Sequence, residues 1–112
     1  MDKDAGPRLV IRHVPAGRSV VLVCLAGELD FDTAILLREA IVQVAARPEE
    51  QRRLMLDLSD LTYCDNAGAF TLLGICQALD AVGTGVGIEA ASVARTAIIR
   101  AGLQDRLPLR PA

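Results

Sequence analysis

The chain has 112 residues, 52% of them apolar but only 3% aromatic, which suits one domain with an aliphatic core and argues against a base-stacking or sugar-stacking surface. With 12 basic against 14 acidic side chains, the formal charge of −2 is too near neutral to hold nucleic acid or an anionic membrane by field alone. Three cysteines, Cys24, Cys64 and Cys76, are far apart and form no CxxC pair, as expected of reduced thiols packed as small core residues.

A polar lead over residues 1–7 is expected to be flexible. It carries no apolar signal region, and no apolar run reaches membrane-spanning length, so a cytoplasmic protein is expected. Residues 8–13 alternate and predict a strand. Pro15-Ala16-Gly17 signals a turn, and residues 19–26 (SVVLVCLA) predict a second strand, antiparallel to the first. Gly27, Glu28, Leu29 and Asp30 are expected to end it.

Asp32 and Thr33 are competent N-caps for a helix over residues 34–46, where Leu37, Ala40, Ile41 and Val44 recur at helical spacing. Arg47-Pro48-Glu49-Glu50 is expected to stop that helix. Residues 53–58 (RLMLDL) predict a short third strand, apolar enough to be covered on both faces. Residues 59–65 read as the approach to a polar turn, Asp65-Asn66-Ala67-Gly68. A second helix follows over residues 67–81 and ends at Gly83-Thr84-Gly85. Residues 86–91 predict a weaker strand. Ser92 is expected to cap a third helix that runs through Ala101, with Gly102 just beyond it. Residues 103–109 read as a turn and an edge strand made marginal by Pro108. The order β-β-α-β-α-β-α predicts one α/β domain over residues 1–112, with a mixed sheet of four to five strands, helices packed against it and right-handed crossovers.

The second helix is the unusual element. Between Asp65 and Leu79 no residue is charged, although charged residues make up 23% of the chain. Ala69, Leu72, Leu73, Cys76 and Leu79 fall in one stripe that should face the sheet. The opposite face holds Ala67, Thr71, Gly74 and Ala78, flanked by Phe70 and Ile75. Small residues between bulky apolar ones make a flat surface for another protein, or for a second copy as a homodimer. Asp65 or Asn66 can cap this helix, and its N-terminus attracts anions, which leaves open a weaker reading as a nucleotide or small-ligand site.

Asp30 and Asp32 flank Phe31. They read as caps before they read as a catalytic carboxylate pair, and with Thr33 they are candidate loop contacts. His13 is the only histidine and has no nucleophile elbow near it. The Gly83–Gly87 run lacks a P-loop ending. No catalytic residue, metal site or cofactor is expected, and no enzyme.

Three segments together carry a resemblance. Leu25-Ala26-Gly27-Glu28-Leu29-Asp30 is followed by Thr33-Ala34 and an amphipathic helix. Leu56-Asp57-Leu58-Ser59 runs on through Tyr63 and Cys64 to Asp65. Gly68 precedes Leu72, Leu73 and Gly74 in the next helix, and Ser92 to Leu103 looks like a third helix of the same pattern. From Val10 to Leu107 the chain resembles a STAS domain of the bacterial anti-sigma factor antagonist family. The resemblance implies a regulatory binding module whose partner is an anti-sigma factor, often of histidine-kinase-like ATPase type, and which thereby frees a sigma factor. It also implies a phosphorylation switch at the residue after the aspartate matching Asp65. That residue is Asn66, followed by Ala67, and neither has a hydroxyl. The switch is therefore expected to be absent, unless Thr71, Ser59 or Thr62 receives the phosphate instead. The alternative within the resemblance is an interaction subunit of a stress-signalling or transporter-associated assembly.

Overall fold

A computed structural model of the chain describes residues 7–17, 19–46 and 53–110. Strand β1 (Leu9–Pro15) pairs antiparallel with β2 (Val20–Leu29), with Ile11 opposite Leu25. β2 pairs parallel with β3 (Arg53–Cys64), and β3 pairs parallel with β4 (Gly85–Glu89), so the sheet order is β1-β2-β3-β4. Helix α1 (Ala34–Ala45) joins β2 to β3, α2 (Asn66–Ala81) joins β3 to β4, and α3 (Ser92–Arg100) follows β4.

Both parallel crossovers advance in the same direction, and right-handed connections then put their helices on one face of the sheet. Burial shows the same layering. Val21, Val23 and Leu25 of β2 and Leu54, Leu56 and Leu58 of β3 share one apolar cluster with Leu37, Leu72 and Ile98 of the three helices. Each such aliphatic side chain contributes about 1.5–3 kcal/mol relative to leaving it in water. Leu22, Cys24 and Met55 point the other way, are only half-buried and lie outside that cluster. Among the described residues, the third strand is therefore covered on one face, not the two that its apolar run suggested. Asp57, half-buried on the helix-free side, marks the difference.

The strands run longer than their apolar runs. Gly27, expected to end β2, continues it at φ 107°, a position that needs glycine because a Cβ there would collide with the carbonyl oxygen of Arg8, just before β1. The Glu28 amide then donates to that same oxygen at 2.8 Å. With β2 extended to Leu29, β3 has something to pair with as far as Cys64, across two register shifts. Residues 59–64 are thus strand, with Leu61 buried and its polar neighbours exposed.

The expected fifth strand is reduced to a single parallel bridge, Ile88 with Leu109. The Ile88 amide donates to the Pro108 carbonyl at 2.9 Å. Ser92 is the first residue of α3, and Ala91 occupies the cap position with no side-chain bond. The lead before Pro7 and the Arg47-Pro48-Glu49-Glu50 stop lie outside the described residues. No helix among the described residues is long and apolar enough to cross a membrane.

Candidate functional site

The site is built around one carboxylate. Asp65 leaves β3 in extended conformation and caps α2, with its Oδ1 accepting from the Gly68 amide at 2.8 Å. Its Oδ2 accepts from the Phe31 amide at 3.3 Å, and its own amide donates to the Leu29 carbonyl at 3.2 Å. The loop after β2 and the start of α2 are thereby tied to one residue. Gly68 sits buried over Leu29, where a Cβ would lie 2.5 Å from the Leu29 carbonyl oxygen.

Asn66 is the first residue of α2 and not its cap, and it is exposed; Ala67 is half-buried. A depression of about 440 Å³ beside them is lined also by Tyr63, Cys64 and Arg100, so α3 supplies a cation on that side. Burial, and after it the Asp65 carboxylate, push the Cys64 thiol up to about 11, and burial alone does the same to Cys76. Both stay protonated at neutral pH and are poor nucleophiles.

The loop residues Asp30, Asp32 and Thr33 have divided roles. Asp30 and Thr33 are buried, and Asp32 is exposed. Asp30 Oδ1 accepts from the amides of Asp32 and Thr33, each at 3.0 Å, and the Thr33 hydroxyl donates to the Glu28 carbonyl at 2.8 Å. Arg8 pairs with Asp30 and, at 2.9 Å, with Glu28, and approaches Asp32 at 3.7 Å. Burial pushes the Asp30 carboxyl up. The Thr33 amide, Arg8, the Thr33 hydroxyl and the Asp32 amide outweigh it and hold the group below the usual carboxylate range. This loop is a structural clasp at the base of α1, and it positions Phe31.

Along α2, Ala69, Leu72, Leu73, Cys76 and Leu79 are buried. Phe70, Gly74 and Ala78 are exposed and Thr71 is half-buried. Ile75, expected on the outer rim, is buried. It lies in the wall of a groove of about 700 Å³ between α1 and α2, to which α1 contributes Arg38, Ile41 and Val42. Among the described residues, Arg38 is the only charged one lining that groove.

Phe70 is exposed as expected, but Phe31 and Tyr63 are aromatics that residue-by-residue reading of the sequence missed. The chain has two Phe, one Tyr and no Trp. Phe31 is 78% exposed, and Phe70 and Tyr63 are 50% exposed. All three flank the Asp65 turn: Phe31 through its hydrogen bond, Tyr63 two residues before it and Phe70 in the opening turns of α2. Composition offered one signal: a core that three aromatics cannot fill must be aliphatic, which leaves those rings free for contact. Among the described residues, no group of three or more His, Cys, Asp or Glu side chains comes together as a metal site would require.

A family model described as "Mlab, STAS domain" matches residues 12–110. The chain is similar to the crystal structure of an anti-sigma factor antagonist from Mycobacterium paratuberculosis, with 28% identity, a TM-score of 0.79, and coverage of 93% of this chain and 86% of that one. It is similar in fold to the anti-sigma factor antagonist SpoIIAA in its unphosphorylated form, with 21% identity, a TM-score of 0.68, and coverage of 91% and 89%. The murine anion transporter Slc26a9 contains a segment of the same fold, with 17% identity and a TM-score of 0.73. That match spans 88% of this chain but 17% of the transporter.

Proposed function

The chain belongs to the STAS domain family, and we propose that it works as a cytoplasmic, non-enzymatic anti-sigma factor antagonist whose docking surface is the outer ridge of α2 with Phe31 and Tyr63 beside it. The observation that carries this reading is the gathering of all three aromatic rings, at least half exposed, around the start of a helix whose outer ridge bears no charge. Rings are costly to leave in water and are enriched at the centres of protein interfaces. Similarity at 28% identity to an anti-sigma factor antagonist supports the same class of partner.

In this reading the partner is an anti-sigma factor of the histidine-kinase-like ATPase type, and binding it regulates sigma-dependent transcription. Asn66 stands in the phosphoacceptor position and has no hydroxyl, so the chain stays binding-competent. The uncharged ridge is where a nearby phosphate dianion would have to be desolvated on binding, and Asn66 avoids that cost. Calorimetric titration with candidate anti-sigma kinases tests the reading. Binding that Phe70→Lys does not weaken would overturn it.

A second reading has one observation in its favour. The matching family model and the fold shared with an anion transporter segment also suit a STAS subunit in a transporter-associated assembly. Co-purification with a membrane transport complex, and none with an anti-sigma factor, distinguishes the two.

A further inference from the structure

Phe31 is 78% exposed, so packing does little to fix its ring, and its position is set by the backbone of the loop that carries it. That backbone is held from two sides. On one side the Phe31 amide donates to Asp65 Oδ2 at 3.3 Å. On the other, a single carboxylate divides its oxygens. Asp30 Oδ1 accepts from the Asp32 and Thr33 amides that follow the ring, and Asp30 Oδ2 accepts from Arg8. Arg8 reaches the loop from a fixed base. Its carbonyl oxygen accepts from the Glu28 amide at 2.8 Å, in the close approach that Gly27 permits. Its Nε donates to Glu28 Oε1 at 2.9 Å, and its Nη1 lies 3.7 Å from Asp32 Oδ2. Among the described residues, Arg8 is the one cation paired with these three carboxylates.

We propose that Arg8 is a positioning residue for partner docking, acting through the Phe31 loop that it holds in binding-ready form. The inference rests on the reading of Phe31 as part of the docking surface. Removing the cation leaves Glu28, Asp30 and Asp32 together with like charge. Asp30 is only 8% exposed, and an unpaired carboxylate is costly there. The carboxylate then turns out to water and releases the Asp32 and Thr33 amides, and the loop gains conformations in which the ring is misplaced. Only the fraction of chains with the loop in place binds through the ring, so the apparent affinity falls with that fraction. The loss is bounded by the loss from deleting the ring itself. Phe70 is carried by α2, outside this clasp, and its contribution is independent of Arg8.

Two measurements on the full chain test this. The first is amide relaxation by NMR and needs no partner. In wild type, Phe31 and Asp32 should have order parameters of about 0.85, as rigid backbone does. In Arg8→Gln they should fall below about 0.6, while Leu25 and Leu56 keep theirs. The second is a calorimetric double-mutant cycle with an anti-sigma kinase that binds the wild-type chain. Arg8→Gln should weaken binding about fivefold, and about fivefold again in a Phe70→Ala background, but less than about twofold in a Phe31→Ala background. Unchanged order at Phe31 in Arg8→Gln overturns the proposal. So does a loss of order that spreads to Leu25 and Leu56, or an affinity loss of the same size with and without the Phe31 ring. If Phe31→Ala alone binds as tightly as wild type, the docking surface is misassigned and the inference falls with it. If Phe31→Ala binds weakly while Arg8→Gln binds as wild type does, the docking surface stands and only the role of Arg8 falls.

Discussion

A Cβ added to Gly68 would lie 2.5 Å from the Leu29 carbonyl oxygen, so α2 begins in direct contact with the end of β2. The Gly68 amide also donates to Asp65 Oδ1, and a backbone shift that relieved the clash would break the cap. Gly68→Ala should therefore lower stability by about 2–3 kcal/mol, the cost of overpacking a buried contact. Urea unfolding followed by circular dichroism measures it. An unchanged midpoint would mean that the helix start slides freely along β2.

Phe70 and Phe31 should behave as interface anchors and not as core residues. Phe70→Lys and Phe31→Ala are each expected to weaken partner binding by at least about 2 kcal/mol, roughly thirtyfold. Their unfolding midpoints should stay within about 0.5 kcal/mol of wild type, as for exposed positions. A loss of stability that matched the loss of affinity would assign them to packing.

Asn66 allows the switch to be rebuilt and imitated. Asn66→Ser restores a hydroxyl at the first position of α2, and incubation with a cognate kinase and ATP should add one phosphate where wild type takes none. Label on wild-type Thr71, Ser59 or Thr62 would mean that the switch had moved along the chain. Asn66→Asp places a charge where the helix dipole favours it, a gain of about 0.3–1 kcal/mol. Its stability should hold or rise while its affinity for the partner falls.

The Arg8–Asp30 clasp makes stability depend on pH in a defined direction. Asp30 titrates below its ordinary value of 3.8 in the folded chain. The folded state thus binds this proton less readily than the unfolded state, and the clasp stabilises the fold fully above that ordinary value. The contribution is lost as pH falls through the lower, folded value. Acid unfolding of Asp30→Asn should therefore show a shallower slope below about pH 4 than wild type. Identical slopes would show that another carboxylate governs acid unfolding.

The order of elements and the inner stripe of α2 were legible because both rest on periodicity, which one-sided burial imposes on any chain. Glycine was harder to interpret. Gly27 was read as a terminator, but it lets the Arg8 backbone lie close against β2 while the strand continues. That function depends on Arg8, 19 residues away, so no local pattern contains it. Residues 59–64 lacked an apolar run because their pairing is supplied by the extended β2 and not by their own side chains. At the site, Asp65 was legible as a cap, whereas its second bond, to Phe31, joins two segments that only the folded sheet brings together. Ile75 moved inward because α1 leans against α2, a packing fact that a helical wheel drawn for one helix does not include.

The one-sided layering has an evolutionary consequence. With the described helices on one face of the sheet, the outward residues of α2 and those of β2 lie on opposite sides of the shared core. A substitution at Gly74 or Ala78 leaves Leu22 and Cys24 untouched, and effects at such separated positions add nearly independently. Selection can therefore remodel recognition on the helical side without re-optimising the strand side. One small domain of this build can diversify its associations one face at a time.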